Sequence, residues 1–89
     1  MNAKQYPNEV IMKAPLRPFK RAYGKLSKDD SLIVRDLIMK RGKIKFLQDF
    51  NNMKLGKVGI NIARQDLIET TFRAFNIDAW TGELLNKTN

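Results

Sequence analysis

Hydrophobic residues recur at helical spacing in three stretches of the chain, and the first of these predicts a helix beginning at Ser27. The Ser27 hydroxyl can cap this helix, and Asp29 and Asp30 suit the positive end of its dipole. Gly42 follows the last turn and is expected to end the helix in a left-handed conformation. The apolar stripe consists of Leu32 or Ile33, Val34, Leu37, Ile38 and Met39.

Two further helices are predicted downstream. The shorter one runs from Lys43 to about Met53, although a strand over Ile44–Leu47 is the rival interpretation because the window is short and rich in β-forming residues. The longer one covers about Ile62 to Phe75, with Asn61 as its cap and a Glu69–Arg73 pair on its surface. Its predicted buried face consists of Ala63, Leu67, Ile68, Thr71, Phe72 and Phe75.

The two ends of the chain differ from this helical middle. Three prolines and Gly24 interrupt residues 1–26, so this segment is predicted to be a partly extended arm, with one short strand at most over Glu9–Met12. Near the other end, Thr81-Gly82 predicts a turn with glycine at positive φ, and Asn76 is a suitable stop for the third helix. Trp80 is expected to fold back and close the core.

Together these elements predict a mainly α fold: a small three-helix domain with a basic, partly extended N-terminal arm and a short C-terminal turn or hairpin. The arm is residues 1–26, the helical core 27–85 and a polar tail 86–89. A chain of 89 residues is long enough for one domain, and its hydrophobic content of 43% argues against disorder throughout.

Positive charge is unevenly distributed along the chain. The formal net charge is +8, but residues 1–57 carry fourteen basic and five acidic side chains, whereas residues 58–89 carry three and four. A binding surface for a polyanion would favour such segregation more than random scatter would.

The basic residues therefore form the predicted nucleic-acid site, because cations release the counterions that condense on phosphates. The two densest patches are the Lys13–Lys25 segment and the 40–45 cluster, and Phe19 and Tyr23 are candidates for stacking on the bases of a single strand. The predicted phosphate-binding residues are Lys13, Arg17, Lys20, Arg21, Lys25, Lys40, Arg41, Lys43, Lys45, Lys54 and Lys57.

The chain lacks the residues that most catalytic and metal sites use. The chain has no cysteine and no histidine, so it lacks the commonest zinc ligands, and neither Ser27 nor Ser31 has a histidine to activate it. The Gly56–Gly59 loop lacks the full phosphate-loop pattern. We therefore expect a non-enzyme without metal or cofactor. Residues 1–19 do not resemble a secretory signal, no apolar run approaches a membrane span, and the cytoplasm is the expected compartment.

The order of helices is compatible with a helix-turn-helix, but the match is loose. The third helix carries Asp66 and Glu69, whose carboxylates would face phosphates unfavourably in a DNA groove, and the turn 51–61 is too long. A ribbon-helix-helix is disfavoured because residues 14–26 separate the only candidate strand from the first helix. Phosphate contacts from the arm and the 40–45 cluster are the preferred mode.

Two functions are weighed on these grounds. The first is a regulator or accessory factor that binds DNA or RNA. The alternative is a protein-interaction module, such as a small inhibitor or antitoxin-like factor, that docks on an acidic partner protein. A membrane role is disfavoured because no long amphipathic basic helix is evident. A homodimer is also expected, since the first and third helices carry more apolar surface than a small core needs.

Overall fold

The computed structural model describes residues 14–85, which form four helices and confirm the mainly α fold. The helices are α1 (Lys20–Gly24), α2 (Lys28–Arg41), α3 (Leu47–Lys54) and α4 (Ile62–Arg73). Helix α2 packs against both α3 and α4. None of the helices within residues 14–85 is long and apolar enough to cross a membrane.

The predicted caps of α2 and α4 are confirmed. The Ser27 hydroxyl accepts a hydrogen bond from the Asp30 amide at 3.1 Å, and the Asn61 side chain accepts one from the Arg64 amide at 2.9 Å. Each cap satisfies an amide that has no partner inside its helix. The starts of these two helices are thus decided by single residues.

Helices α2, α3 and α4 are each followed by the same backbone motif. One residue is left-handed, and the amide of the next residue donates to the carbonyl five positions back. The left-handed residues are Lys43, Gly56 and Asn76, with φ of 56°, 77° and 65°. The returning bonds are Ile44 to Met39 at 2.8 Å, Lys57 to Asn52 at 2.8 Å and Ile77 to Phe72 at 3.2 Å. The chain therefore turns sharply away from each helix axis.

The prediction that Gly42 is left-handed is wrong by one residue. Gly42 has a φ of −84°, and its lack of a side chain matters for space instead, because a Cβ there would lie 2.7 Å from the Ile38 carbonyl oxygen. Lys43 takes the left-handed conformation, and Ile44 then enters the core. Since this turn and the following residues occupy 42–46, α3 begins at Leu47, four residues later than predicted.

Phe19 lies at the centre of the core. Its ring is fully buried, and its centroid lies 5.7 Å from that of Phe50, 5.9 Å from that of Phe72 and 6.5 Å from that of Trp80, edge-on in each case. Such edge-to-face pairs contribute about 0.5–1.5 kcal/mol each beyond the area they bury. The remaining buried hydrophobic residues are Ala22, Val34, Ile38, Ile44, Met53, Ile60, Ile68, Ile77 and Ala79.

Residues 14–26, which belong to the predicted arm, are packed against the core in the structure. The Phe19 amide donates to the Lys54 carbonyl at 3.0 Å, and the Ile60 amide donates to the Pro15 carbonyl at 2.9 Å. The segment passes close to the loop after α3 at Gly59. A Cβ on Gly59 would lie 2.4 Å from the Ala14 carbonyl oxygen, so this approach requires glycine. The expected Glu9–Met12 strand, Lys13 and the 86–89 tail lie outside the described residues.

The predicted buried faces are largely correct. Val34 and Ile38 are buried on α2, and Ile68, Thr71 and Phe72 are buried on α4. The exceptions are Ala63, which is exposed, and Leu32 and Ile33, which leave apolar surface uncovered on α2.

The C-terminal segment forms the predicted turn. Ile77 and Leu84 pair through an antiparallel bridge, and Gly82 has a φ of 79°. Trp80 is half-buried against the core, and its indole N–H donates to the Glu69 carboxylate at 2.7 Å. Glu69 thus holds the turn against α4, and the expected Glu69–Arg73 ion pair is not formed.

We predict that Phe19→Ala lowers the free energy of unfolding by about 3–5 kcal/mol, because it opens a cavity among three aromatic rings. Leu16→Ala is the control in the same segment: this side chain is 61% exposed, and its loss should cost about 0.5 kcal/mol or less. Urea unfolding followed by circular dichroism measures both. Two equally mild effects would mean that residues 14–26 do not pack on the core.

Stability should also depend on Asp78 in acid. The Thr81 hydroxyl and then the Thr81 amide, both 2.8 Å from the carboxylate, lower the pKa of Asp78. A lowered folded-state pKa stabilises the fold above the unfolded pKa of about 3.9, and this contribution is lost as the pH falls through the folded value. Asp78→Asn should therefore be less stable than wild type at pH 7, with a difference that shrinks toward pH 2. A constant difference in urea midpoints would contradict this.

Candidate nucleic-acid interface

Few cations are neutralised by carboxylates. Among residues 14–85 the ion pairs are Arg17–Glu69 at 3.8 Å and Arg35–Asp36 at 3.4 Å. The other basic side chains in this part of the chain have no carboxylate of residues 14–85 within ion-pair distance. Their charge is therefore available to an anionic ligand.

A cleft that we call the basic groove lies between the 43–46 segment, α3, the loop after α3 and the first turn of α4. Its volume is about 440 Å³. Three of its lining residues are cations and one is a carboxylate, which gives the groove a positive potential. The lining residues are Lys43, Ile44, Lys45, Phe46, Asp49, Asn52, Met53, Val58, Gly59 and Arg64.

Arg64 fixes one wall of the basic groove. Its Nε and Nη2 atoms both donate to the Gly42 carbonyl oxygen, at 3.1 and 2.9 Å, so the first turn of α4 is tied to the end of α2. Arg64 was not among the predicted site residues. A cation in the first turn of a helix opposes the helix dipole, and this unfavourable placement was the available signal.

The positive surface continues from the basic groove into a side hollow. This hollow has a volume of about 340 Å³, shares Lys43 and Arg64 with the groove and adds Arg41. The predicted 40–45 cluster is thus assembled around Arg41, Lys43 and Lys45. Lys40 is exposed but lines neither cavity.

Lys43 occupies a conformation that its residue type disfavours. The equivalent positions after α3 and α4 are Gly56 and Asn76, the two residues that tolerate left-handed φ best, whereas lysine there costs about 1–2 kcal/mol. The motif directs the Lys43 side chain out beside the groove. Strain of this kind concentrates at functional sites.

Phe46 is a second departure from local preference. It occupies the N-cap position of α3, where it offers no acceptor to the first amides, and its ring is 66% exposed on the groove wall. Ser, Thr, Asp or Asn would stabilise the helix start better. Two unfavourable choices within four residues indicate that this segment serves something other than stability.

A second cleft, the tryptophan groove, lies on the N-terminal segment. It has a volume of about 710 Å³ and brings together the predicted residues Lys20, Arg21 and Lys25; its other lining residues are Pro18, Gly24 and Trp80. Lys20 and Arg21 are exposed, whereas the Lys25 ammonium donates to the Gly82 carbonyl at 2.9 Å.

The two grooves are close together along the N-terminal segment. Ala14 contacts Gly59 in the wall of the basic groove, and Pro18 lines the tryptophan groove. Four residues span at most about 14 Å, which limits the distance between these two contact points. One extended ligand can therefore reach both.

Several predicted residues are engaged within the protein. The Arg17 guanidinium lies 4.0 Å over the Trp80 ring and donates to Gln65 at 2.7 Å. The Lys54 ammonium lies 4.7 Å over the ring of Tyr23, whose hydroxyl donates to the Ser31 carbonyl. Arg17 and Lys54 therefore make contacts that stabilise the fold, and their charged groups are less available to a ligand. Lys57 is exposed but lines neither groove.

The stacking prediction is wrong for Phe19, because its ring has no exposed surface. Tyr23 is half-buried with its hydroxyl bonded. Phe46 is the exposed aromatic residue beside the cations of the basic groove. It lies at the N-cap of α3, whereas the sequence predicts it within the second helix. Its position next to Lys45 in the 40–45 cluster was the signal that could have found it.

No protein-family model, curated protein or solved structure matches this chain. Within residues 14–85 no group of three Asp or Glu side chains is placed to hold a metal ion. The function is therefore inferred from the grooves themselves.

We predict that Lys43→Gly raises the free energy of unfolding by about 0.5–1 kcal/mol, because glycine removes the left-handed strain at a smaller entropic cost. Lys45→Gly is the matched control: it removes the same charge from a position without positive φ and should lower stability. Urea midpoints of the two variants check this. A loss of stability in Lys43→Gly would show that the conformation carries no strain.

Proposed function

We propose that the protein binds nucleic acid, with the phosphate backbone held along the basic groove. The observation that carries this proposal is the joining of Arg41, Lys43, Lys45 and Arg64 on one surface, where Asp49 is the sole carboxylate among residues 14–85 that lines the groove or side hollow. Neutralising phosphates with such a cluster releases counterions, which supplies most of the affinity of sequence-independent binding.

The tryptophan groove extends the same surface. Its exposed Lys20 and Arg21 lie near enough to the basic groove for one strand to contact both, since about 14 Å corresponds to about four nucleotide steps in B-DNA. The strand would pass over residues 14–18. This arrangement favours phosphate contacts from two cation groups over base readout by an inserted helix.

We propose a binding role, as a cytoplasmic regulator or accessory factor, and not catalysis. The chain has no histidine or cysteine to act as base, nucleophile or soft metal ligand. The homodimer expected from the apolar surface of the first and third helices stays a prediction.

A protein partner is the second candidate, and one observation favours it. Apolar side chains are exposed on the wall of the basic groove, namely Phe46, which is 66% exposed, and Val58, which is 41% exposed. An acidic protein with an apolar patch would match a rim of this kind. Recovery of one stoichiometric protein after nuclease treatment would support this candidate.

We predict that Lys43→Gln/Lys45→Gln weakens binding to DNA and RNA and reduces its salt dependence. If each lysine neutralises one phosphate, the slope of log affinity against log salt should fall by about 1.4 on single strands and about 1.8 on duplex. Fluorescence anisotropy with labelled oligonucleotides across a salt series measures both quantities.

The control for this experiment is Lys28→Gln/Arg73→Gln, which removes the same charge from exposed positions outside the grooves. It should leave the slope nearly unchanged. Equal losses in the two double variants would mean that net charge alone acts. Absence of any binding by the wild-type protein at low salt would reject the nucleic-acid function.

A further inference from the structure

We infer that the basic groove receives an unpaired nucleobase, stacked on Phe46, so that single-stranded nucleic acid is the preferred ligand. This inference rests on the proposed function and narrows it. A duplex covers the faces of its bases, whereas a single strand can turn one outward. The groove offers an aromatic face and cations together, which are the two elements of single-strand recognition.

The backbone that carries Phe46 is held in place by contacts on both sides. Two residues earlier, Ile44 is anchored in the core, and the Phe46 carbonyl accepts the amides of Asp49 and Phe50 at 3.0 and 3.3 Å as α3 begins. The backbone at Phe46 is therefore fixed on both sides while its ring stays 66% exposed. An aromatic side chain with few rotatable bonds on a fixed backbone loses little entropy when a base stacks on it.

The groove also presents groups that suit the edge of a base. Asp49 and Asn52 lie one turn apart on α3 and both line the groove. Neither side chain hydrogen-bonds to another residue within 14–85. An asparagine amide can donate and accept, and a carboxylate accepts from the exocyclic amino groups of bases. These edges are accessible on a base that has left its pair.

Charge and size agree with this occupant. The exposed Lys43 and Lys45 line the groove where they can contact the flanking phosphates, and Arg64 adds positive charge to the wall, whereas Asp49 would repel a phosphate placed beside it. The volume of about 440 Å³ lies within the range of about 300–1,000 Å³ typical of small-ligand pockets. When the base lies beside Asp49, its amino groups face a carboxylate, and the phosphates on either side face the lysines.

The experiment compares single-stranded DNA, single-stranded RNA and duplex DNA of one sequence by anisotropy at fixed salt. Phe46→Ala should weaken binding of a single strand by about 5- to 150-fold, since stacking is worth about 1–3 kcal/mol per base. Duplex binding should change by less than about twofold. Phe46→Trp should restore single-strand affinity, because a larger ring stacks at least as well.

Leu55→Ala is the control, since it truncates a side chain directly after α3 that is 41% exposed and lies outside the groove. It should leave all three affinities unchanged, and urea midpoints confirm that each variant is folded. A larger Phe46→Ala effect on RNA or on DNA supports the inference and identifies the strand.

The outcomes separate this inference from the proposed function. If the wild-type protein binds none of the three ligands, both fail. If it binds them with a salt dependence that Lys43→Gln/Lys45→Gln reduces, but Phe46→Ala weakens single strands no more than duplex, the nucleic-acid function stands and the stacking inference is overturned.

Discussion

The packing of Phe19 against Phe50, Phe72 and Trp80 is the interaction on which the remaining structure depends. It joins one side chain from the N-terminal segment to α3, α4 and the C-terminal turn, so four parts of a short chain meet at one ring. A small domain buries little surface per residue, and aromatic rings supply the most burial for each position used. Because Phe19 is held there, residues 14–18 pass along the loop after α3, and the basic groove and the tryptophan groove lie near each other.

The cations of the basic groove lie next to helix ends, in the segment after α2 and in the first turn of α4. The left-handed turn after α2 orients Lys43 and sends Ile44 into the core, and the Arg64 guanidinium ties the Gly42 carbonyl to the start of α4. Backbone geometry thus fixes where the Lys43 side chain leaves the main chain, and the Gly42 carbonyl holds the Arg64 guanidinium. In the proposed function, an aromatic ring on a fixed backbone would lose little entropy when the ligand binds.

Local stability is reduced where the proposed ligand would bind. A lysine in left-handed conformation and an uncapped phenylalanine at a helix start each cost free energy, and both lie in the 43–46 segment. The other two left-handed positions, Gly56 and Asn76, follow the usual preferences. Both departures lie on the wall of the basic groove, which is the surface that the proposed function uses.

The sequence by itself determined the elements whose causes are local. Ser27 and Asn61 cap their helices through bonds to residues three positions away, Gly82 takes its positive φ within one turn, and the apolar spacing of α2 and α4 marks their buried sides. Tertiary structure decided the rest. Phe19 became core and Phe46 became exposed because of contacts with residues distant in sequence, and a pattern of basic and aromatic residues looks the same in either case. One wall of the basic groove is held by the hydrogen bonds between Gly42 and Arg64, 22 positions apart, and no local preference encodes that contact.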